Sequence, residues 1–302
     1  MTGTFKEIID RAHTADSPVR VVTALPDAQD VDILGKAAAD NLITPLFVGN
    51  GREIEVLVKG TLLASCDFDI VDVKNAPEAL ATAVATAGRS DAAILTQGGI
   101  EHAAFIMAVS DRDAGLLNGK ATSYVSVYQL KKKDKLILVT DTYLHNFPTF
   151  GEKQSILDNA LTLARLLEYD PPKVAALASI EQVNPSIPST LDAAILSKMS
   201  QRKQFGNAIV EGPLDIDCAL DRQAAERKGV RSEVTGNADI YLVPDIDVGY
   251  LLAELLVFIG KMPCIGVVLG TTKPVILRQP FIAHENRVAE IALAVMISGG
   301  EV

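Results

Sequence analysis

The feature that most constrains this chain is a repeated switch between short, nearly continuous apolar runs and longer helical stretches. The runs are VRVVTAL from Val19, PLFVGN from Pro45, DAAILTQGG from Asp91, KVAALAS from Lys173, NAIVEG from Asn207, DIYLVP from Asp239 and CIGVVLG from Cys264. Strands this rich in Val, Ile and Leu are covered on both faces. Between them, residues 77–88, 152–168, 189–199 and 220–229 read as helices, the last ending in Lys228 and a glycine suited to a C-cap. Strand, helix, strand alternation implies right-handed βαβ units and a parallel sheet, so the predicted class is α/β with mostly parallel sheet flanked by helices.

One interval breaks the alternation. ATSYVSVYQL from Ala121 and LILVTDT from Leu136 are two strand-like runs joined by KKKDK, which reads as a hairpin with a solvated, charged tip rather than a phosphate patch. A length of 302 residues suggests about two domains, and the hairpin places the division around Asp141. The helix predicted at 283–298 is free to return to the first domain. Open parallel sheets bind ligands beyond the carboxyl ends of their strands, so two such domains predict a site in the cleft between them.

Composition narrows the function. With 48% apolar and 22% charged residues the chain is neither disordered nor collagen-like. The formal charge of −10 disfavours nucleic acid and anionic membrane surfaces as partners. Cys66, Cys218 and Cys264 are odd in number and far apart, which argues for a reducing compartment and against a disulfide framework or a zinc cluster. The most apolar helical stretch, Tyr250 to Gly260, carries Glu254 and falls short of the about 20 residues a membrane span needs. These features predict a soluble, cytoplasmic protein.

The common chemical motifs are tested and fail. Gly49-Asn50-Gly51 follows a strand and precedes a helix, but Ile54 stands where a dinucleotide fingerprint needs its third glycine, so a turn explains the pair better and a nicotinamide-dependent dehydrogenase is poorly supported. The sequence lacks a GxxxxGK[ST] run, a GxSxG elbow and an HExxH motif. His13, His102, His145 and His284 have no short ligand spacing, and no metal is predicted. The acidic segment from Glu211 to Asp217 follows a strand; its carboxylates could hold a divalent cation or cap a helix, and the residue types favour the cap.

Several stretches in order carry a family resemblance: TDT at Thr140, PKVAALASIEQVNPSIPST from Pro172, EGPLDIDCA from Glu211, AAERKGVRSEVTGNADIYLVPDIDVG from Ala224 and GTTKPVIL from Gly270. The chain resembles the phosphate acetyl- and butyryltransferases, most strongly from Thr140 to Pro274. The resemblance implies an isocitrate/isopropylmalate dehydrogenase-like fold, with residues 1–140 plus 271–302 as one α/β domain, 141–270 as the other, and the cleft between them. It implies a homodimer that moves a short acyl group between coenzyme A and inorganic phosphate, with no tightly bound cofactor and the coenzyme A thioester as substrate.

Carried onto this sequence, the expected catalytic residues are Arg278, Asp217 and Asp141. Arg278 and Lys273 would cradle phosphate, and Asp217 would position a cationic group or the thiol. Gly98, Gly99, Thr140, Gly212, Pro213, Gly236, His284 and Arg287 complete the expected substrate and coenzyme A contacts. Three departures stand out. Gln97 replaces a family Lys before glycine, Glu254 falls where a Lys is usual, and Gln279-Pro280 replaces a Ser-Arg pair. Their loss motivates a second reading, a repurposed relative that keeps the fold and binds an acyl thioester or a protein partner.

Overall fold

The computed structural model describes residues 1–15, 17–89, 93–111, 116–117, 119–130 and 134–299. They form two compact units: an N-terminal unit of residues 4–122 and 263–302, and a central unit of residues 1–3 and 123–262. The N-terminal unit begins with α1 (Phe5–Ala12), β1 (Val19–Ala24), α2 (Ala28–Ala39), β2 (Ile43–Gly49), α3 (Gly51–Val58), β3 (Asp69–Asp72), α4 (Ala76–Arg89), β4 (Ala93–Thr96) and α5 (His102–Val109). The central unit follows with β5 (Ser123–Leu130), β6 (Lys135–Thr140), α6 (Phe150–Leu166), β7 (Lys173–Leu177), α7 (Pro188–Gln201), β8 (Ile209–Leu214), α8 (Ile216–Leu220), α9 (Arg222–Arg227), β9 (Ile240–Leu242) and α10 (Ile246–Phe258). The chain then returns to the N-terminal unit with β10 (Cys264–Leu269), β11 (Val275–Ile276) and α11 (Arg287–Gly299).

Within the N-terminal unit the strands run in the order β3-β2-β1-β4-β11-β10. All neighbours are parallel except β10 and β11. The apolar runs explain the strands: every residue of β4 and of β10 is buried, because helices cover both faces. Asp27 and Asp30 form a reciprocal capping box that starts α2 immediately after β1. The terminal helix α11 packs on α1, α2 and β10 of the same unit, and eight of its residues are buried.

Within the central unit the order is β5-β6-β9-β7-β8, with β5 antiparallel to β6 and the others parallel. Tyr124, Tyr128, Leu136 and Leu138 are fully buried in its core. A second capping box, Thr149 with Glu152, starts α6.

The hairpin predicted from sequence is β5–β6; residues 131–133 of its lysine-rich tip lie outside the described residues. Both strands belong to the central unit, where β6 pairs with β9, so a boundary at 140/141 would assign the whole hairpin to the other unit. The return to the N-terminal unit likewise comes at Pro263, not 271, because β10 is hydrogen-bonded to β11. Among the described residues, no helix is long and apolar enough to cross a membrane.

Candidate functional site

Parallel pairing fixes where side chains after each strand collect. In the N-terminal unit the carboxyl ends of β4 and β11 open into a cavity of about 280 Å³, closed on one side by α2. Gly98, Arg278, His284 and Arg287 of the sequence-predicted set line it, together with Asp30, Gln97, Gln279 and Glu290. Apolar walls come from Ile33, Leu34, Ile276, Ile282 and Ile291.

Each cation at this cavity already faces a carboxylate. Arg278 sets Nη1 2.5 Å from Asp27 Oδ2 and Nη2 2.5 Å from Asp30 Oδ2. Arg287 Nη1 lies 2.8 Å from Glu290 Oε2, and its Nη2 donates to the Gln279 carbonyl at 2.7 Å. His284 Nε2 lies 2.7 Å from Asp32 Oδ2. Burial pushes the Glu290 carboxyl up, against the pull of Arg287. Burial likewise raises Asp30, with Arg278 opposing it. An anion entering here finds guanidinium donors only by sharing them with these carboxylates.

Gly98 has φ +60°, and a Cβ there would lie 1.9 Å from the Ala24 carbonyl oxygen. Only glycine fits this close approach. The N–H of Gly99 donates to the carbonyls of Leu25 and Ala24, at 2.8 and 3.2 Å, and so is spent inside the fold. Lys273 lies in the turn before β11, at the opposite end of the strand from Arg278, and is not among the cavity walls.

The carboxyl ends of β6, β9, β7 and β8 form a second edge, in the central unit. Asp215 caps α8, as the acidic segment predicts. Lys228 binds both Asp215 and Asp217, the latter at 2.8 Å, and lies 3.9 Å from Glu181. Burial alone would raise Asp215, but its hydrogen bonds with Cys218 and Lys228 hold it far below the usual carboxylate range. Burial and the Asp215 carboxylate push the Cys218 thiol up to about 12, away from the thiolate form. Asp215, Asp217 and Cys218 are close enough together to hold a metal ion, but the Lys228 ammonium already sits against both carboxylates.

Asp141 follows β6. Its Oδ1 accepts the N–H groups of Tyr124, Tyr143 and Leu144, and its Oδ2 accepts the N–H of His145 and faces His145 Nδ1 at 2.8 Å. Five donors leave this buried carboxylate no room to act on a substrate itself. Thr140 is fully buried and donates its hydroxyl to the Tyr124 carbonyl. Gly212 is a packing residue, since a Cβ there would meet Ala176 and Ala193 within 2.9 Å, and Pro213 beside it is buried. Gly236, with φ +67°, donates its N–H to the Ala219 carbonyl and lines a different cavity with Arg222 and Arg231.

Residues 76–295 match the model of the family described as phosphate acetyl/butaryl transferase. The chain belongs to this family. It is 33% identical over 301 residues to a phosphate butyryltransferase of Clostridium acetobutylicum, covering 100% of both chains. It is 35% identical over 296 residues to a phosphate acetyltransferase of Rickettsia felis, covering 97% of this chain and 85% of the other. In structure it is similar to a branched-chain phosphotransacylase from Enterococcus faecalis, with a TM-score of 0.79 and 25% identity over 93% of this chain and 99% of that one.

The three positions expected to depart from the family pattern have defined partners or lack them. Gln97 is buried; its Oε1 accepts the backbone N–H of Arg278 and faces His102 Nδ1, while its Nε2 donates to the Ile100 carbonyl. Glu254 is half-buried and hydrogen-bonded to Tyr250, whose phenol is raised by burial and by that bond. Gln279 is fully buried, and neither Oε1 nor Nε2 meets a hydrogen-bond partner among the described residues.

Sequence reasoning missed Asp27 and Asp30 as partners of Arg278, Lys228 as partner of Asp215 and Asp217, and His145 as partner of Asp141. Only the first pair had a local signal, the D-x-x-D of a capping box.

Proposed function

We propose that this chain transfers a short acyl group between coenzyme A and inorganic phosphate, with acyl-CoA and phosphate as its small-molecule partners and no tightly bound cofactor. The observation that carries the reading is the family relationship over the whole chain, at 33% identity with a phosphate butyryltransferase. In this reaction a phosphate oxygen attacks the thioester carbonyl and the thiolate departs. Such a step needs donors for phosphate and stabilisation of the developing oxyanion.

Arg278 and Arg287, with His284 beside them, are the phosphate-facing donors in this reading, supported by their gathering at one cavity at the strand ends. Guanidinium suits bidentate phosphate contact. Gly98 serves by letting the loop approach β1 closely. Lys228, held by Asp215 and Asp217, is the cation assigned to the negatively charged coenzyme A. Lys273, Gly99, Thr140, Gly212, Pro213 and Gly236 support the loops and strands that carry these groups.

The two α/β units correspond in this reading to the two domains of an isocitrate/isopropylmalate dehydrogenase-like fold, and the protein works in the cytoplasm as a homodimer. The exposed apolar side chains Val248, Leu251, Leu255 and Phe258 on one face of α10 favour a subunit contact. The test is thiol release from a panel of acyl-CoAs with phosphate or arsenate. Anion-dependent release is expected; none with any acyl-CoA, from a folded preparation, transfers the assignment to a repurposed relative.

A further inference from the structure

We propose that the cavity at the amino edge of the central sheet binds a small phosphorylated polyol, a sugar phosphate in class, separately from the strand ends that carry Asp141 and Asp215. Strand β7 begins at Lys173, and the segment leading into β9 runs through Gly236 and Asn237. The parallel strands therefore present these residues at their amino ends, whereas Asp141 and Asp215 follow carboxyl ends. The turn after α9 brings Arg231 to the same place, and Arg222 at the start of α9 completes a cavity of about 810 Å³, more space than one phosphate fills. Gly236 makes the cavity possible: its φ is +67°, and a Cβ there would lie 2.6 Å from the Arg222 backbone nitrogen, so only glycine lets the turn approach α9 this closely.

Charge selects the first half of the ligand. In a chain of formal charge −10, three cations line this cavity against two carboxylates. Arg222 Nε lies 3.4 Å from Glu226 Oε1, which occupies one carboxylate. The buried Asp239 beside the cavity is spent on Lys135 Nζ at 2.6 Å and on the backbone N–H of Lys173 at 2.8 Å. The Lys173 ammonium and the Arg231 guanidinium have no partner among the described residues. They differ in this from Arg278, Arg287 and Lys228, each of which already faces a carboxylate. A guanidinium fork and an ammonium on one cavity suit a phosphate group.

The other walls say what the phosphate is attached to. Glu233 lines the cavity with no partner among the described residues; it repels a bare anion and accepts a hydrogen bond from a hydroxyl. The Ser232 hydroxyl accepts the Val234 N–H and keeps its own proton to donate. The Asn237 carboxamide adds a donor and an acceptor. Among the described lining residues Val230 is the one hydrocarbon side chain and none is aromatic, so a nucleobase has nothing to stack on. Hydroxyl groups beside the phosphate meet every one of these polar walls.

The test is calorimetric titration of the full chain with glucose 6-phosphate as the probe. Expected is binding that weakens about tenfold or more in Arg231→Gln and in Lys173→Met. Unfolding midpoints should not move, because Lys173 holds Asp239 through its backbone N–H and Arg231 is exposed. Glu233→Gln separates the two halves of the ligand: glucose 6-phosphate is expected to lose affinity while sulfate, charged but without a hydroxyl, competes more strongly. A gain for both ligands overturns the polyol assignment. No binding to the wild-type chain at millimolar concentration, or binding that Arg231→Gln and Lys173→Met leave unchanged, overturns the site. Should Lys173→Met not fold, Arg231→Gln decides alone. The titration needs no turnover, so its failure leaves acyl transfer standing, and failure of acyl transfer leaves this site standing.

Discussion

Gln97 Oε1 accepts the backbone N–H of Arg278 at 2.9 Å, joining the end of β4 to the segment after β11 across 181 residues of sequence. The same amide faces His102 Nδ1 at 3.2 Å and donates to the Ile100 carbonyl at 2.9 Å, so every polar atom of this buried side chain is used. Gln97 is thus a hydrogen-bond junction, and a charge cannot be put there without cost.

Gln97→Lys removes the acceptor for the Arg278 N–H. A buried donor left unsatisfied costs about 1–3 kcal/mol, and burying an ammonium adds to that. The expected outcome is a lower urea midpoint at unchanged m-value. A midpoint that stays put, with tighter coenzyme A binding, would show that the junction is dispensable and the position faces ligand.

Asp27→Asn tests whether Arg278 serves phosphate. Asn caps a helix as well as Asp does, so α2 keeps its start while one carboxylate competing for Arg278 is lost. The pair is partly exposed, which limits its strength to about 0.2–1 kcal/mol, up to about fivefold in binding. Phosphate KM is expected to fall by up to that factor. An unchanged or higher KM removes Arg278 from the phosphate contacts.

The fold class was legible because it is written in local pattern. β1, β4, β7 and β10 are apolar runs with turn residues at their ends, and the β5–β6 hairpin interrupts them visibly. The two-residue β11 is too short to carry a pattern, although it sets the register that brings Arg278 beside Gln97. The site was legible residue by residue but not pair by pair. Asp141 and Arg278 were both expected as site residues. Their partners lie four residues away in a non-helical loop and 251 residues away in another strand–helix turn, and no periodicity relates such positions. The carboxylates of Asp215 and Asp217 read as ligands in the sequence, but Lys228, 13 and 11 residues on, binds both.

Two histidines are expected to titrate on opposite sides of the ordinary value of 6.5. The Asp141 hydrogen bond raises His145, and desolvation lowers His102 against the pull of Glu101. The raised His145 contributes stability that is complete below 6.5 and is lost as pH rises through its folded value. The lowered His102 works the other way, withdrawing stability as pH falls from 6.5 through its folded value. Imidazole resonances followed by NMR would separate the two, and His145→Asn should abolish the alkaline loss alone. Coincident titrations would mean that the Asp141 contact does not persist in solution.

Gln279 offers the clearest case of stability withheld for some other purpose. Its side chain is fully buried with both polar atoms unpartnered among the described residues, beside the cavity that Arg278 and Arg287 also line. Each unsatisfied buried group costs about 1–3 kcal/mol. Met has nearly the same length and shape and no group to satisfy, so Gln279→Met is expected to raise stability by about 1–3 kcal/mol. Arg287 contacts the Gln279 carbonyl and not its amide, so that bond survives the exchange. If the amide reads substrate, the same variant loses kcat/KM for acyl transfer while its unfolding midpoint rises, a combination that packing alone does not produce. A variant that is less stable than the parent would mean that the amide is satisfied in solution, by water or by a neighbour, and that Gln279 is part of the scaffold.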